Sequence, residues 1–209
     1  DSTMTYLIVF IISYLIGNIN PAILVGKMTR GIDIRELNSK NAGTSNVTMT
    51  IGYRWGIFVG IMDIFKGLLP VLIVRLIFPE NDVLWFLSGF GAIMGHVYPI
   101  FYRFKGGKGS ATFGGVLFAT VPLFAFIMLI LYFFVLYITD YIALSTLFAI
   151  IVTPIALYLM DFHFESVLLM TAFSIVSFRK HYPNYKRIYK KEEVGIRKFN
   201  KNKDEIRAK

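Results

Sequence analysis

Long uncharged segments alternate with short charged ones along the chain. Four runs without Asp, Glu, Lys or Arg reach 20 residues or more, at 2–26, 83–102, 109–139 and 141–160. An α-helix rises about 1.5 Å per residue, so about 20 apolar residues cross a hydrocarbon core of about 30 Å. The pattern therefore predicts an all-α, polytopic integral membrane helical bundle.

The number of crossings depends on the run at 109–139. We expect the other crossings at about 5–25, 53–76, 84–101, 141–159 and 165–178. As one helix the run would be about 46 Å long, which is too long for one crossing and too short for two ordinary ones. Pro122 near its middle removes a backbone hydrogen bond and favours a break there.

Charge distribution decides between one and two crossings. The net charge is +9, and 20 of the 22 Lys and Arg residues lie in 27–54, 103–108 and 179–209. Short basic loops stay cytoplasmic, so these three segments should share one side of the membrane. They do so only if 109–139 crosses twice around Pro122. We therefore predict about seven transmembrane helices, with the N-terminus out and the C-terminus in.

Composition excludes several other classes of protein. Hydrophobic residues make up 56% of the chain and charged residues 17%, against about 25% charged in soluble domains. A soluble enzyme and a nucleic-acid-binding module are both excluded, and the basic C-terminus is attributed to membrane lipids with anionic headgroups. No metal or cofactor is expected from three scattered histidines and no cysteine. We expect one transmembrane domain at 1–199 and a basic cytoplasmic tail at 200–209; the oligomeric state stays open.

Two loops carry candidate chemistry. The first loop, residues 31–46, contains a run of small polar residues: Asn38, Ser39, Asn41, Gly43, Thr44, Ser45 and Asn46. This run is either an ordinary solvated loop or a backbone nest for an anion. In the third loop, residues 95–110, Gly106, Gly107 and Gly109 alternate with Lys105 and Lys108. Glycines let the backbone approach a ligand and lysines add charge, which suits a phosphate; a flexible basic loop is the alternative.

Isolated polar residues in or near the crossings are weaker candidates. Asp63 and Lys66 are three residues apart on one helix face, and we expect them to pair within the bundle. His96 alone is typical of a structural histidine. His181 and Asn184 follow the last crossing within one turn. Neither a Ser–His–Asp arrangement nor an HxxxxD acyltransferase signature is present.

Together these motifs resemble the acyl-phosphate-dependent glycerol-3-phosphate acyltransferases of bacterial membranes, the PlsY family. The resemblance covers nearly the whole chain. The matching motifs are Asp33-Ile-Arg35, Asn41-x-Gly43-x-x-Asn46, Asp63-x-x-Lys66-Gly67, Gly95-His96, Phe104-Lys-Gly-Gly-Lys-Gly109 and His181-x-x-Asn184.

The resemblance implies transfer of a fatty acyl group from acyl phosphate to the 1-hydroxyl of glycerol 3-phosphate. The products would be lysophosphatidate and phosphate, made in a bacterial cytoplasmic membrane without metal or cofactor. It implies catalytic roles for Ser39, Lys108, His181 and Asn184. It implies substrate-binding roles for Asn41, Gly43, Asn46, His96, Gly106, Gly107, Gly109 and Thr146.

The first loop departs from the family pattern, which is roughly GSGNxGATNxxR. Asn38 and Lys40 replace its two early glycines, and Met49 replaces its functional arginine. Two family serines fall at Ala143 and Thr146. A thioether makes no bidentate phosphate contact. Three outcomes stay open: the same reaction with a rearranged phosphate site, a paralogue with another acceptor or donor, or a non-catalytic lipid-handling membrane protein.

Overall fold

The computed structural model describes residues 2–199, which form helices joined by short turns, with no strand among them. The α-helices are α1 Ser2–Asn18, α2 Pro21–Arg30, α3 Thr44–Thr50, α4 Tyr53–Ile77, α5 Asp82–Val97, α6 Ser110–Thr120, α7 Pro122–Thr139, α8 Ile142–Leu159 and α9 Phe164–Tyr189. Two single 3₁₀ turns lie at Ile34–Glu36 and Ile100–Tyr102. The predicted all-α fold is confirmed. The expected tail at 200–209 lies outside the described residues.

Five helical segments within residues 2–199 are long and apolar enough to cross a membrane. They are Ser2–Arg30, Tyr53–Ile77, Asp82–Tyr102, Pro122–Thr139 and Ile142–Leu159. Helix α6 is also apolar but has only 11 residues. Much of the helical surface that faces outward consists of large hydrophobic side chains. These properties are those of an integral membrane protein.

The first predicted crossing, at about 5–25, lies within the apolar segment Ser2–Arg30, which is divided into two helices. Helix α1 ends at Asn18 and α2 begins at Pro21. The Asn20 side chain caps α2 by accepting the backbone N–H of Ile23 at 3.1 Å. Proline at the first position of α2 has no N–H to donate, so both residues favour a new helix start over a continuous one.

The break predicted near Pro122 is confirmed. Helix α6 ends at Thr120, and Pro122 is the first residue of α7. Val121 bridges them, because its N–H donates to Leu117 and its carbonyl accepts from Ala125, both at 2.8 Å. The two helices therefore meet at one residue, and Pro122 loses no hydrogen bond that the fold requires.

Helices α4 and α6 approach each other closely through two glycines. A Cβ atom on Gly67 would lie 2.1 Å from the Thr112 carbonyl oxygen, and one on Gly115 would lie 2.0 Å from that of Ile64. Only glycine permits backbones this close. The contact fixes the start of α6, and with it the third loop, relative to α4.

The turns that follow α4 and α8 lie together at one end of the bundle. Asn81, which caps α5, donates to the Tyr6 hydroxyl of α1 at 3.1 Å. Asp82 accepts from the Ser166 hydroxyl of α9 at 3.0 Å. Arg75 of α4 donates to the final carbonyls of α6 at 2.7 and 3.2 Å. The start of α1, the end of α4 and the end of α6 therefore lie at this end.

The first and third loops, which contain the candidate site residues, lie at the opposite end. Arg35 of the first loop donates to carbonyls of the third loop. Lys108 of the third loop donates to Asn184 of α9 at 2.5 Å. The segment after α9 docks on the turn between α7 and α8, where the backbone N–H of Arg197 donates to Asp140 at 3.0 Å. These contacts bring three basic segments to one end of the bundle.

Candidate active site

Lys108 is the charged group at the centre of the candidate site. It follows two glycines in the third loop, is half-buried, and donates from Nζ to the Asn184 Oδ1 atom at 2.5 Å. Burial lowers the pKa of Lys108 to about 8, and the nearby Glu193 carboxylate opposes that shift while Arg187 and Lys180 reinforce it. A lysine held in partial burial among other cations is suited to bind an anion.

The Asn184 side chain is fixed on both sides. Its Nδ2 atom donates to Glu193 Oε1 at 2.7 Å, and Glu193 Oε2 accepts from Arg187 Nε at 2.5 Å. Because a carboxylate only accepts, the Asn184 nitrogen must face Glu193 and its oxygen must face Lys108. Asn184 and Lys108 were predicted from the sequence, whereas Glu193 and Arg187 were not. Glu193 is one of few acids in a strongly basic segment, which was the available signal.

His181 lies on α9 one turn before Asn184 and is buried. Its Nδ1 atom is 2.9 Å from the Ser177 carbonyl oxygen. A carbonyl only accepts, so Nδ1 carries the proton and Nε2 is left as an acceptor. His181 and Asn184 are three residues apart on α9 and share a helix face, and Asn184 accepts from Lys108. The structure thus brings together three of the four predicted catalytic residues.

The glycines of the third loop fold back onto the end of α5. The N–H of Gly107 donates to the His96 carbonyl at 3.1 Å, and the N–H of Gly106 donates to the Val97 carbonyl at 3.2 Å. A Cβ atom would lie 1.9 Å from His96 O at Gly106 and 2.1 Å from His96 Nε2 at Gly107. Glycine is therefore required here by packing against His96, and these two N–H groups are already used within the protein. Gly109 adopts φ +87°, a left-handed conformation.

His96 also contacts the predicted Asp63–Lys66 pair. Lys66 Nζ lies 2.9 Å from Asp63 Oδ1, and both side chains are buried, which confirms the expected pairing within the bundle. The same ammonium lies 2.6 Å from His96 Nδ1. His96 therefore stands between a buried ion pair on α4 and the glycines that precede Lys108. This connection was not predicted from the sequence.

Asn46 organises the first loop. It is fully buried, and its Nδ2 atom donates to the carbonyls of Ile34 at 2.7 Å, Asn41 at 2.9 Å and Leu37 at 3.1 Å. The amide N–H groups of Asn46 are therefore occupied within the loop, and its substrate-binding role stays a prediction. Asn41 likewise contributes its backbone carbonyl to this arrangement.

Arg35 ties the first loop to the third. It pairs with Asp33 at 2.6 Å, and the hydrogen bond from Arg35 holds the pKa of the Asp33 carboxyl below its usual value. The same guanidinium donates to the carbonyls of Tyr102 at 2.9 Å and Lys105 at 3.1 Å. The Asp-x-Arg motif therefore sets the position of one candidate loop against the other.

Ser39 lies on an exposed turn between two residues with positive φ. Asn38 has φ 47° and Lys40 has φ 55°, at the two positions where the family pattern has glycine. Both residues thus adopt a left-handed backbone without being glycine; asparagine tolerates this conformation well and lysine less so. The Ser39 side chain makes no hydrogen bond within residues 2–199. Gly43 lies farther along the loop, buried, and caps α3 with extended backbone.

Thr146 and Met49 mark two departures from the family pattern. Thr146 is buried on α8, and its hydroxyl lies 3.4 Å from those of Ser110 and Tyr132. Because Ser110 follows Gly109 directly, Thr146 borders the third loop. Met49, which we expect to replace the family arginine, lies on α3 and is 39% exposed.

Comparison with known proteins identifies the family of the chain. A profile of the family described as glycerol-3-phosphate acyltransferase matches residues 7–191. The glycerol-3-phosphate acyltransferase of Bacillus subtilis (strain 168) is 37% identical over 93% of this chain and 99% of its own. That of Bacillus velezensis is 39% identical over 94% of this chain and 100% of its own.

Two crystal structures of PlsY, an integral membrane glycerol 3-phosphate acyltransferase, have the same fold. The glycerol 3-phosphate form matches with a TM-score of 0.86 and 29% identity, covering 92% of this chain and 96% of that one. The lysophosphatidic acid form matches with a TM-score of 0.83 and 28% identity, covering 91% and 95%. The resemblance inferred from the motifs is confirmed, and the chain belongs to the glycerol-3-phosphate acyltransferase family.

Proposed function

We propose that this protein transfers a fatty acyl group from acyl phosphate to the 1-hydroxyl of glycerol 3-phosphate. The hydroxyl oxygen attacks the acyl carbonyl carbon, an ester bond forms, and the bond between that carbon and the phosphate oxygen breaks. Lysophosphatidate and inorganic phosphate result, and the hydroxyl proton leaves with the phosphate. The observation that carries the proposal is Lys108, a half-buried cation held by Asn184 directly after the glycines of the third loop.

The site suits this reaction because acyl phosphate is already activated. Catalysis then requires mainly that two anionic headgroups be brought together and neutralised. Lys108 supplies charge to a phosphate group, Asn184 fixes the lysine, and His181 offers the acceptor atom Nε2 beside them. Ser39 extends the site into the first loop. No protein base is needed, since the leaving phosphate takes the proton.

The bundle would place these headgroups at the cytoplasmic surface of a bacterial cell membrane. Contacts at the two ends support seven crossings, by α1, α4, α5, α6, α7, α8 and α9. Lys108 of the third loop, Asn184 near the end of α9 and Asp140 of the α7–α8 turn lie at one end. Asn81 and Asp82, at the start of α5, lie at the other. Helix α6 would cross as a short helix of about 16 Å, packed against α4.

Cysteine labelling tests this topology cleanly, because the chain has no cysteine. Lys40→Cys, Lys105→Cys and Lys190→Cys change exposed residues near the site, and Glu80→Cys changes an exposed residue at the opposite end. A membrane-impermeant maleimide added to intact cells should label only the Glu80 variant. Labelling of the Lys190 variant from outside would contradict seven crossings.

The reaction itself is tested with purified protein, palmitoyl phosphate and glycerol 3-phosphate. Lysophosphatidate should form from palmitoyl phosphate and not from palmitoyl-CoA. Lys108→Met should lower kcat/KM about 10- to 150-fold, the expected loss for a charge-assisted contact. The matched control is Lys105→Met, which removes an exposed lysine three residues away and should stay near wild type. Equal activity of the two variants would remove Lys108 from the site.

A further inference from the structure

The buried Lys66 ammonium is surrounded by three acceptors. Its Nζ atom lies 2.9 Å from Asp63 Oδ1, 2.6 Å from His96 Nδ1 and 2.8 Å from the Ile19 carbonyl oxygen. An ammonium has three N–H groups and no lone pair, so it can only donate. Hydrogen bonds to the Ile19 carbonyl and to His96 Nδ1, with the ion pair to Asp63, fit a charged lysine.

The Ile19 carbonyl is free to accept from Lys66 because the helix is interrupted between α1 and α2. In a continuous helix the Ile19 carbonyl would accept the N–H of Ile23. Here that N–H donates to the Asn20 side chain at 3.1 Å instead. The Ile19 oxygen is thereby released for Lys66, which links the break in the first crossing to the cluster on α4 and α5.

These contacts determine which nitrogen of His96 carries the proton. Because an ammonium can only donate, Nδ1 must accept from Lys66 and has no proton of its own. The neutral ring then carries its proton on Nε2. Every hydrogen bond and ion pair that the His96 side chain makes within residues 2–199 goes through Nδ1.

The protonated nitrogen faces the third loop. A Cβ atom on Gly107 would lie 2.1 Å from His96 Nε2 and 2.7 Å from the Ala42 carbonyl oxygen of the first loop. His96 Nε2 therefore lies where the first and third loops meet, next to Gly107, the residue that precedes Lys108. The His96 side chain is 5% exposed, and Nε2 makes no hydrogen bond within residues 2–199, so its N–H is available to a phosphate at the proposed site.

We propose that the Asp63–Lys66–His96 cluster holds His96 as the Nε2–H tautomer and so directs a hydrogen-bond donor at a phosphate group held by the third loop. Lys66 and Asp63 are then positioning residues that act through His96. The identity of that phosphate as glycerol 3-phosphate rests on the proposed function, whereas the tautomer does not.

Nitrogen NMR of the full chain in lipid nanodiscs, with ¹⁵N-labelled histidine, tests the tautomer directly. The chain has three histidines, and the spectrum of His96→Asn identifies the His96 signals by their loss. In the wild type, Nε2 should be protonated and Nδ1 unprotonated. Inorganic phosphate should shift the His96 Nε2–H resonance and leave His163, at the opposite end, unchanged. An Nδ1–H tautomer, an imidazolium, or an unshifted His96 signal would each overturn the proposal.

Variants test the positioning role. In Lys66→Met, Nδ1 should gain a proton and donate to Asp63 Oδ1, which lies 3.4 Å away. His96→Asn keeps an acceptor for Lys66 near Nδ1 but has no donor at Nε2, whereas His96→Gln keeps an N–H near Nε2. The KM for glycerol 3-phosphate should be about tenfold higher for the asparagine variant than for the glutamine variant, with similar kcat. Equal KM values would contradict a phosphate contact from Nε2.

The two proposals fail in different ways. If acyl transfer is absent but His96 is the Nε2–H tautomer and responds to inorganic phosphate, the proposed reaction fails and the phosphate-directed donor stands. If transfer occurs while Nδ1 carries the proton, the reaction stands and the role of Lys66 fails.

Discussion

Glu193→Gln should move the alkaline limit of activity to lower pH. Lys108 binds a phosphate dianion only when protonated, and its pKa is about 8. Its charged fraction therefore falls from about nine tenths at pH 7 to about one tenth at pH 9. The phosphate of the substrate is already doubly ionised above a pKa near 6. In the wild type, kcat/KM for glycerol 3-phosphate should thus be flat from about pH 7 and fall as pH rises through about 8.

The size of the shift follows from the geometry. Lys108 and Glu193 are joined through the Asn184 amide, so their charges are about 7 Å apart at most and interact by roughly 1–2 kcal/mol at an effective dielectric constant of 20–40. Removing the negative charge favours the neutral lysine. In Glu193→Gln, the alkaline limb of the profile, where kcat/KM falls as pH rises, should move down by about one pH unit, toward pH 7.

Two further variants separate this effect from a general loss of structure. Glu192→Gln removes the neighbouring exposed carboxylate and should leave the profile unchanged. Arg187→Gln removes a cation that lowers the pKa of Lys108, so the limb should move the opposite way, to higher pH. The assay is kcat/KM between pH 6 and 9.5 with saturating acyl phosphate. Identical profiles for Glu193→Gln and the wild type would refute the assignment of the alkaline limb to Lys108.

Three other substitutions have defined outcomes. Gly107→Ala places a Cβ atom 2.1 Å from His96 Nε2 and should lower kcat/KM more than about tenfold. The control is Gly114→Ala, whose Cβ meets no atom within 4 Å, and its kcat/KM should be near that of the wild type. Met49→Arg, at a site 39% exposed, should lower the KM for glycerol 3-phosphate about tenfold; an unchanged KM would show that the phosphate lies elsewhere. Gly195→Ala places a Cβ atom 1.9 Å from the Asp140 carboxylate and should detach the segment after α9 from the α7–α8 turn. Tryptic cleavage after Arg197 should then be faster. Unchanged cleavage would contradict this docking.

Features that depend on neighbouring residues were predictable from the sequence. Proline fixes its own backbone geometry, so the break at Pro122 could be located from one residue within an apolar run. Asp63 and Lys66 lie three apart on one helix, and helical geometry alone brings them together. The break at Asn20 is just as local, but Asn18, Asn20 and Pro21 within an uncharged run of 25 residues did not outweigh the hydrophobic pattern.

Contacts between distant residues were not predictable from spacing. Lys108 and Asn184 are 76 positions apart, and Lys66 and His96 are 30 apart. Both pairs depend on how α4, α5 and α9 pack. The close packing of Gly106 and Gly107 against His96 is a contact of the same kind, and it was not predictable from the spacing of the glycines.

The most direct measurement is the stoichiometry of acyl transfer by purified protein. With palmitoyl phosphate and glycerol 3-phosphate, one lysophosphatidate should appear for each phosphate released, and omission of glycerol 3-phosphate should stop both. Phosphate release that continues without the acceptor, or no lysophosphatidate at any substrate concentration, would contradict the proposed reaction.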